Sequence, residues 1–186
     1  RSLGTTMDLR FVSRELRQLD LITTEIIVVP MAEDERPPAA SAGLLDYRLG
    51  GRISKMMEEQ TVSGAIGQVH LLPGRPKLTF DRVLLLGEGR ASEMNPHIYA
   101  RLIEQLLASL KHLGARRAVV ELPGRRHGLI SPEQAVEILL ELTADNPWFD
   151  TWTLVEPPQA QRIMAALLRR DQRQRWVLGD PTRPGS

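Results

Sequence analysis

Three groups of residues in this sequence have the types and spacing for ligand chemistry. Gly87-Glu88-Gly89 follows an apolar run and precedes a helix start, as glycine amides do where a strand-to-helix turn cradles a phosphate, and Ser92 stands where a third small residue would complete a dinucleotide fingerprint. The helix opens several residues late for that fingerprint, at Asn95-Pro96, and glycine serves an ordinary turn equally well. Pro123 to Gly128 (PGRRHG) gathers Arg125, Arg126 and His127 in one loop after a strand, close in sequence to Arg116 and Arg117. Loops beyond the carboxyl ends of parallel strands are where open α/β sheets bind ligands, and paired arginines suit phosphate or carboxylate. Gly87, Gly89, Arg125 and Arg126 are therefore the candidate site for a small phosphate-bearing ligand, with a solvated basic loop as the plainer account. A third group, Arg116, Arg117, Arg169 and Arg170 with Arg173 and Arg175 behind them, has the charge to neutralise nucleic-acid phosphates, although no aromatic residue is interleaved for base stacking.

The catalytic inventory is short. His70, His97, His112 and His127 are scattered and form no H-E-x-x-H or other close ligand pair, so no metal is expected. The chain has no cysteine, which excludes disulfides, thiolate metal sites and a cysteine nucleophile. Ser63-Gly64 and Ser131-Pro132 lack the G-x-S-x-G elbow that exposes a serine nucleophile. Asp145 and Asp150 could serve as acids or bases, but Glu133, Glu137 and Glu141 recur one helical turn apart and read as a solvated face. No catalytic residue and no cofactor follows from these patterns. Trp148, Phe149 and Trp152 cluster around a strand start and read as core or as a contact for a protein partner.

The elements that must position these groups alternate. Asp8–Val12, Glu25–Val29, Val69–Leu72, Arg82–Leu86, Ala118–Leu122, Thr151–Val155 and Arg175–Leu178 have the apolar or alternating character of strands. Pro30 to Ala42, with its paired prolines and acidic residues, reads as an exposed loop. Leu45, Leu49, Ile53, Met56 and Met57 share one face of a helix from about Gly43 to Glu59, interrupted by Gly50 and Gly51. Glycine inside a helix costs about 1 kcal/mol against alanine, so their placement suggests another backbone or a ligand passing too close for a Cβ. Asn95-Pro96 opens a helix whose stripe is Ile98, Leu102, Leu106, Leu110 and Leu113, ended by Gly114, and Ser131-Pro132-Glu133-Gln134 is a capping box for the next. Pro157-Pro158 leads into a helix bearing Ile163, Met164, Leu167 and Leu168.

Strands alternating with amphipathic helices require a sheet covered on both faces, which predicts a three-layer α/β/α fold with a mixed, mostly parallel sheet. At 186 residues one domain is expected, over 7–178, with Arg1–Thr6 as an added or disordered start and 179–186 as a flexible tail. The net charge of +1 names no partner. No run approaches the roughly 18 apolar residues of a membrane span and no secretory pattern opens the chain, so a cytoplasmic protein with no membrane contact is expected.

Ala42 to Pro73 (AGLLDYRLGGRISKMMEEQTVSGAIGQVHLLP), Asp81 to Arg90 (DRVLLLGEGR), Lys111 to Gly124 (KHLGARRAVVELPG) and Thr151 to Pro157 (TWTLVEP) form an ordered set that resembles the N-terminal domain of the leucyl (cytosol) aminopeptidase family. The resemblance implies a macrodomain-like fold placed ahead of a separate two-metal catalytic domain with an N-T-D-A-E-G-R-L signature. That signature is absent from this sequence, which is then either an excised fragment of such an enzyme or a stand-alone domain. Macrodomains proper bind ADP-ribose, but the strand Glu25–Val29 is followed here by PMAEDE rather than an Asn-rich loop. Some members of the aminopeptidase family bind DNA. The leading expectation is a non-catalytic module for protein association, self-association or regulation, with phosphate-ligand binding and nucleic-acid binding as the alternatives.

Overall fold

The computed structural model describes residues 7–144, 146, 148–170 and 176–179, with Met7 and 176–179 described by their backbone alone. The expected terminal segments 1–6 and 180–186, and Asp145, Arg173 and Arg175, lie outside the described residues.

Seven strands, β1 (Met7–Val12), β2 (Thr24–Ala32), β3 (Val69–Pro73), β4 (Phe80–Gly89), β5 (Arg117–Val120), β6 (Thr151–Val155) and β7 (Trp176–Gly179), form one sheet in the order β3-β4-β2-β5-β6-β1-β7. All neighbours pair in parallel except β3, which runs antiparallel to β4 at one edge. Gly179 thus belongs to the last strand rather than to the expected tail.

The continuous run of branched residues in β2 has a simple cause: both faces of the sheet are covered. Ile26 and Val28 point into one core with Leu84, Leu86, Ala118 and Val120, while Ile27 and Val29 point into the other with Val83, Leu85 and Val119. Helices α4 (Pro96–His112), α5 (Pro132–Thr143) and α6 (Pro158–Arg170) cover the first face. Helices α1 (Leu16–Leu19), α2 (Ala40–Arg48) and α3 (Arg52–Glu58) cover the second. This is the three-layer α/β/α architecture. The local signals act as read: Asn95 accepts from the Ile98 N–H at 2.9 Å, Ser131 and Gln134 form the capping box, and Gly114 closes α4 with φ 72°. Trp148, Phe149 and Trp152 stack edge to face, and Phe149 and Trp152 are fully buried core residues.

The helix expected from Gly43 to Glu59 is instead two helices. Gly50 and Gly51 have φ of 67° and 84°, the left-handed region, and break the chain between α2 and α3. Asp46, buried in α2, bridges the break: its carboxylate accepts from the backbone N–H of Ile53 and Ser54, the open donors at the start of α3. The expected close approach is absent, since a Cβ on Gly51 would meet nothing within 4 Å and one on Gly50 only the Lys77 ammonium at 3.8 Å. The requirement is conformational. Gly51→Ala is therefore expected to lower the unfolding free energy by about 1–2 kcal/mol in denaturant titrations, and Gly51→Asn by clearly less, because Asn tolerates this region. Equal losses for both would contradict this cause.

Candidate functional site

Three strands carry a glutamate at or just past their carboxyl ends. Glu88 near the end of β4, Glu121 just after β5 and Glu156 just after β6 place carboxylates in a row along the carboxyl ends of the parallel strands. Backbone bonds from Glu121 to the Val28 carbonyl (3.0 Å) and from Glu156 to the Val12 carbonyl (2.9 Å) continue the sheet, so the positions are fixed by the ladder. Glu121 and Glu156 are each only 2% exposed.

Guanidinium groups meet two of them. Arg125 donates from Nε and Nη2 to the two oxygens of Glu156, both at 3.0 Å, and from Nη1 to the Ile130 carbonyl at 2.7 Å. Arg14, in the loop after β1, pairs with Glu121, whose other oxygen accepts from the Ser41 N–H at the start of α2. Arg126 pairs with Glu35, on the segment between β2 and α2. Glu88 accepts from the Gly124 N–H at 3.0 Å. Burial pushes the carboxyls of Glu88, Glu121 and Glu156 above their usual range. For Glu88 the nearby Glu121 and Glu35 push the same way, against Gly124 and Arg126. Tyr99 lies close by, fully buried, its phenol raised by burial and donating to the Ala135 carbonyl.

Little space remains. Glu35, Glu88, Glu121 and Arg126 line a void of only about 10 Å³ together with Pro30 and Ala42, room for about one water. Beside it, Asp34, Glu35, Glu88, Arg90, Met94 and His127 line a more open cavity of about 210 Å³.

The structure separates the residues of the expected phosphate site. Gly87 and Gly89 lie within β4, which runs past the expected end at Leu86, and both amides are already committed: Gly87 donates to the Gln68 carbonyl at 2.7 Å and Gly89 to the Gly64 carbonyl at 2.9 Å. They are glycines because the 64–66 segment crosses them so closely that a Cβ on Gly87 would sit 1.9 Å from the Ala65 carbonyl oxygen. Arg125 is 9% exposed and held by Glu156. Arg126 alone among the four borders the small void, and none of the four lines the larger cavity. The candidate nucleic-acid residues fall elsewhere. Arg117 opens β5 with Arg116 just before it, at the amino ends of the strands, and Arg169 and Arg170 end α6. Arg116 is engaged by Asp150 at 3.3 Å and lies over the Trp148 ring. Sequence reasoning missed the carboxylate row, although its signal is plain afterwards: VLLLGE, AVVE and TLVE each follow an apolar run with a glutamate.

Among the described residues, no group of three or more His, Asp or Glu side chains could hold a metal ion, and no helix is long and apolar enough to cross a membrane.

Comparison with known structures defines the class. The chain superposes on a Trypanosoma brucei macrodomain in complex with ADP with a TM-score of 0.66 at 14% identity, covering 86% of this chain and 68% of that one. It also superposes on a mutant tomato leucine aminopeptidase with a TM-score of 0.59 at 18% identity, covering 89% of this chain and 36% of that one. The fold is that of the macrodomains. The model of the cytosol aminopeptidase family, N-terminal domain, matches residues 28–145, and the chain belongs to this family. A cytosol aminopeptidase of Pseudomonas aeruginosa is 32% identical over 114 residues, which is 61% of this chain but only 23% of that protein, so the chain spans about a quarter of the relative it matches.

The buried carboxyl of Glu88 has a measurable consequence. With its pKa raised from 4.5, the folded protein keeps a proton that the unfolded chain has released, so stability falls as pH rises from that value through the folded one. Glu88→Gln keeps an acceptor for Gly124 and removes the titration. Thermal melts between about pH 5 and 8 are expected to show a shallower decline for the variant and a higher Tm at neutral pH. Parallel curves for the two proteins would contradict the assignment.

Proposed function

We propose that this chain is a non-catalytic, macrodomain-like module, a single domain, that works by protein association or regulation in the cytoplasm. The observation that supports this reading is the state of the carboxyl-end cleft. Arg14, Arg125 and Arg126 are each engaged by a carboxylate of the same chain, and the Gly87 and Gly89 amides are spent within the fold. A dianionic ligand entering there would have to displace Glu35 and approach Glu88 and Glu121, exchanging a satisfied pair for like-charge repulsion. In a longer protein of the family, chemistry would belong to another domain.

A second reading, a small phosphate ligand in the cavity beside Arg90 and His127, draws support from the macrodomain neighbour that carries ADP. Asp34, Glu35 and Glu88 on the same wall weigh against it. Isothermal titration of the purified chain with ADP-ribose and mononucleotides separates the two, alongside a leucyl-substrate assay with zinc or manganese. No binding heat and no turnover are expected. Saturable ADP-ribose binding would establish the second reading in place of the first, and metal-dependent turnover would overturn the non-catalytic assignment.

A further inference from the structure

The edge strand β3 (Val69-His70-Leu71-Leu72-Pro73) carries no charged residue. Edge strands are usually blunted by charges, bulges or prolines because their open backbone groups template pairing with another chain. Here the blunting is limited to short length and a terminal proline.

The bonds to β4 settle which backbone groups are open. Gly87 donates to the Gln68 carbonyl and Gly74 donates to the Asp81 carbonyl, at 2.7 and 2.9 Å, in the same antiparallel register that pairs His70 with Leu85 and Leu72 with Val83. Antiparallel pairs alternate between hydrogen-bonded and non-hydrogen-bonded. The even-numbered residues therefore face β4, and the N–H and C=O groups of Val69 and Leu71, with the C=O of Pro73, face outward.

The side chains of the odd-numbered residues share one face. Val69 packs against the core beneath α4, whereas Leu71 is 43% exposed and Ile66, just before the strand, is 42% exposed. Just before the strand, Ile66 and Gly67 line a groove of about 520 Å³ with Ile98, Arg101, Leu102, Glu104 and Gln105 of α4.

We propose that β3 is a self-association edge, on which a second copy of this chain pairs antiparallel about a two-fold axis at Leu71. This rests on the association reading and names its partner. A second copy fits this edge without a clash of charge. Leu71 lies opposite its own counterpart and can exchange both backbone bonds with it, while the Val69 N–H meets the Pro73 carbonyl across the axis. Each of those cross-strand pairs is apolar, and no like charges oppose one another along the strand. The missing N–H of Pro73 falls at the rim, where it costs one bond at each end rather than breaking the centre. The contact is isologous, so pairing uses up the edge on both copies and stops at the dimer.

The absence of cysteine makes a direct test available. A single Leu71→Cys places two thiols on the axis, at the roughly 5.5 Å Cα separation of a hydrogen-bonded pair, within disulfide reach. With glutathione disulfide, L71C is expected to form a covalent dimer much faster than Tyr47→Cys, a control at a 76% exposed position on α2. Sedimentation of the unmodified chain is expected to show a dimer fraction that grows with concentration, and Leu71→Lys to weaken dimerisation at least about tenfold with unchanged circular dichroism. A monomer at every concentration, or L71C cross-linking no faster than Y47C, overturns the self-pairing. The outcome is independent of the cleft: the sedimentation result decides the partner, and ADP-ribose titration of the same preparation decides whether the association reading itself stands.

Discussion

The carboxyl ends of the parallel strands depend on one interaction, the paired hydrogen bonds between Arg125 and Glu156. Both side chains are nearly removed from water, at 9% and 2% exposure. A carboxylate so placed is tolerable only when an opposite charge and matched donors meet it. Arg125 supplies both, and its third bond to the Ile130 carbonyl ties the loop after β5 to the approach of α5. Arg14 and Glu121 repeat the arrangement one strand away and tie the loop after β1 to the start of α2. The loops that could have formed an open ligand cleft are thereby fastened to one another.

This constraint explains the difference between fold and use. The sheet order, the two cores and the helix layers suit a macrodomain, in which the carboxyl-end crevice is the natural place for a ligand. Here that crevice is lined by Glu88, Glu121 and Glu156, two of which hold Arg14 and Arg125. Fold alone does not carry function, and the proposed reading rests on the side chains at the crevice rather than on the architecture.

Much of the architecture was legible because its signals are local or periodic. All seven strands, the Asn95 and Ser131 caps and the Gly114 stop follow from spacing and from the chemistry of single residues. The departures have physical causes of another kind. Gly50 and Gly51 fit the spacing of one continuous helix, and only the left-handed backbone and the reach of Asp46 to Ile53 and Ser54 reveal two. Gly87 and Gly89 match a phosphate turn in sequence, but the requirement comes from the 64–66 segment, which lies far off along the chain. Arg125 and Arg126 read as one basic patch, yet their partners Glu156 and Glu35 are distant in sequence and are brought near only by the sheet order. Pairings between elements decide charge at this site, and a single sequence does not display them.

A double-mutant cycle on Arg125 and Glu156 tests most directly whether the pair closes the cleft. The cycle uses Arg125→Met, Glu156→Leu and the combined variant, each measured by denaturant unfolding. Either single change leaves a buried charge without its partner and is expected to lose about 3–5 kcal/mol, while the double variant loses far less than the sum, with a coupling of about 2 kcal/mol or more. Losses that simply add would contradict the account, because Arg125 would then be held in place for something other than Glu156.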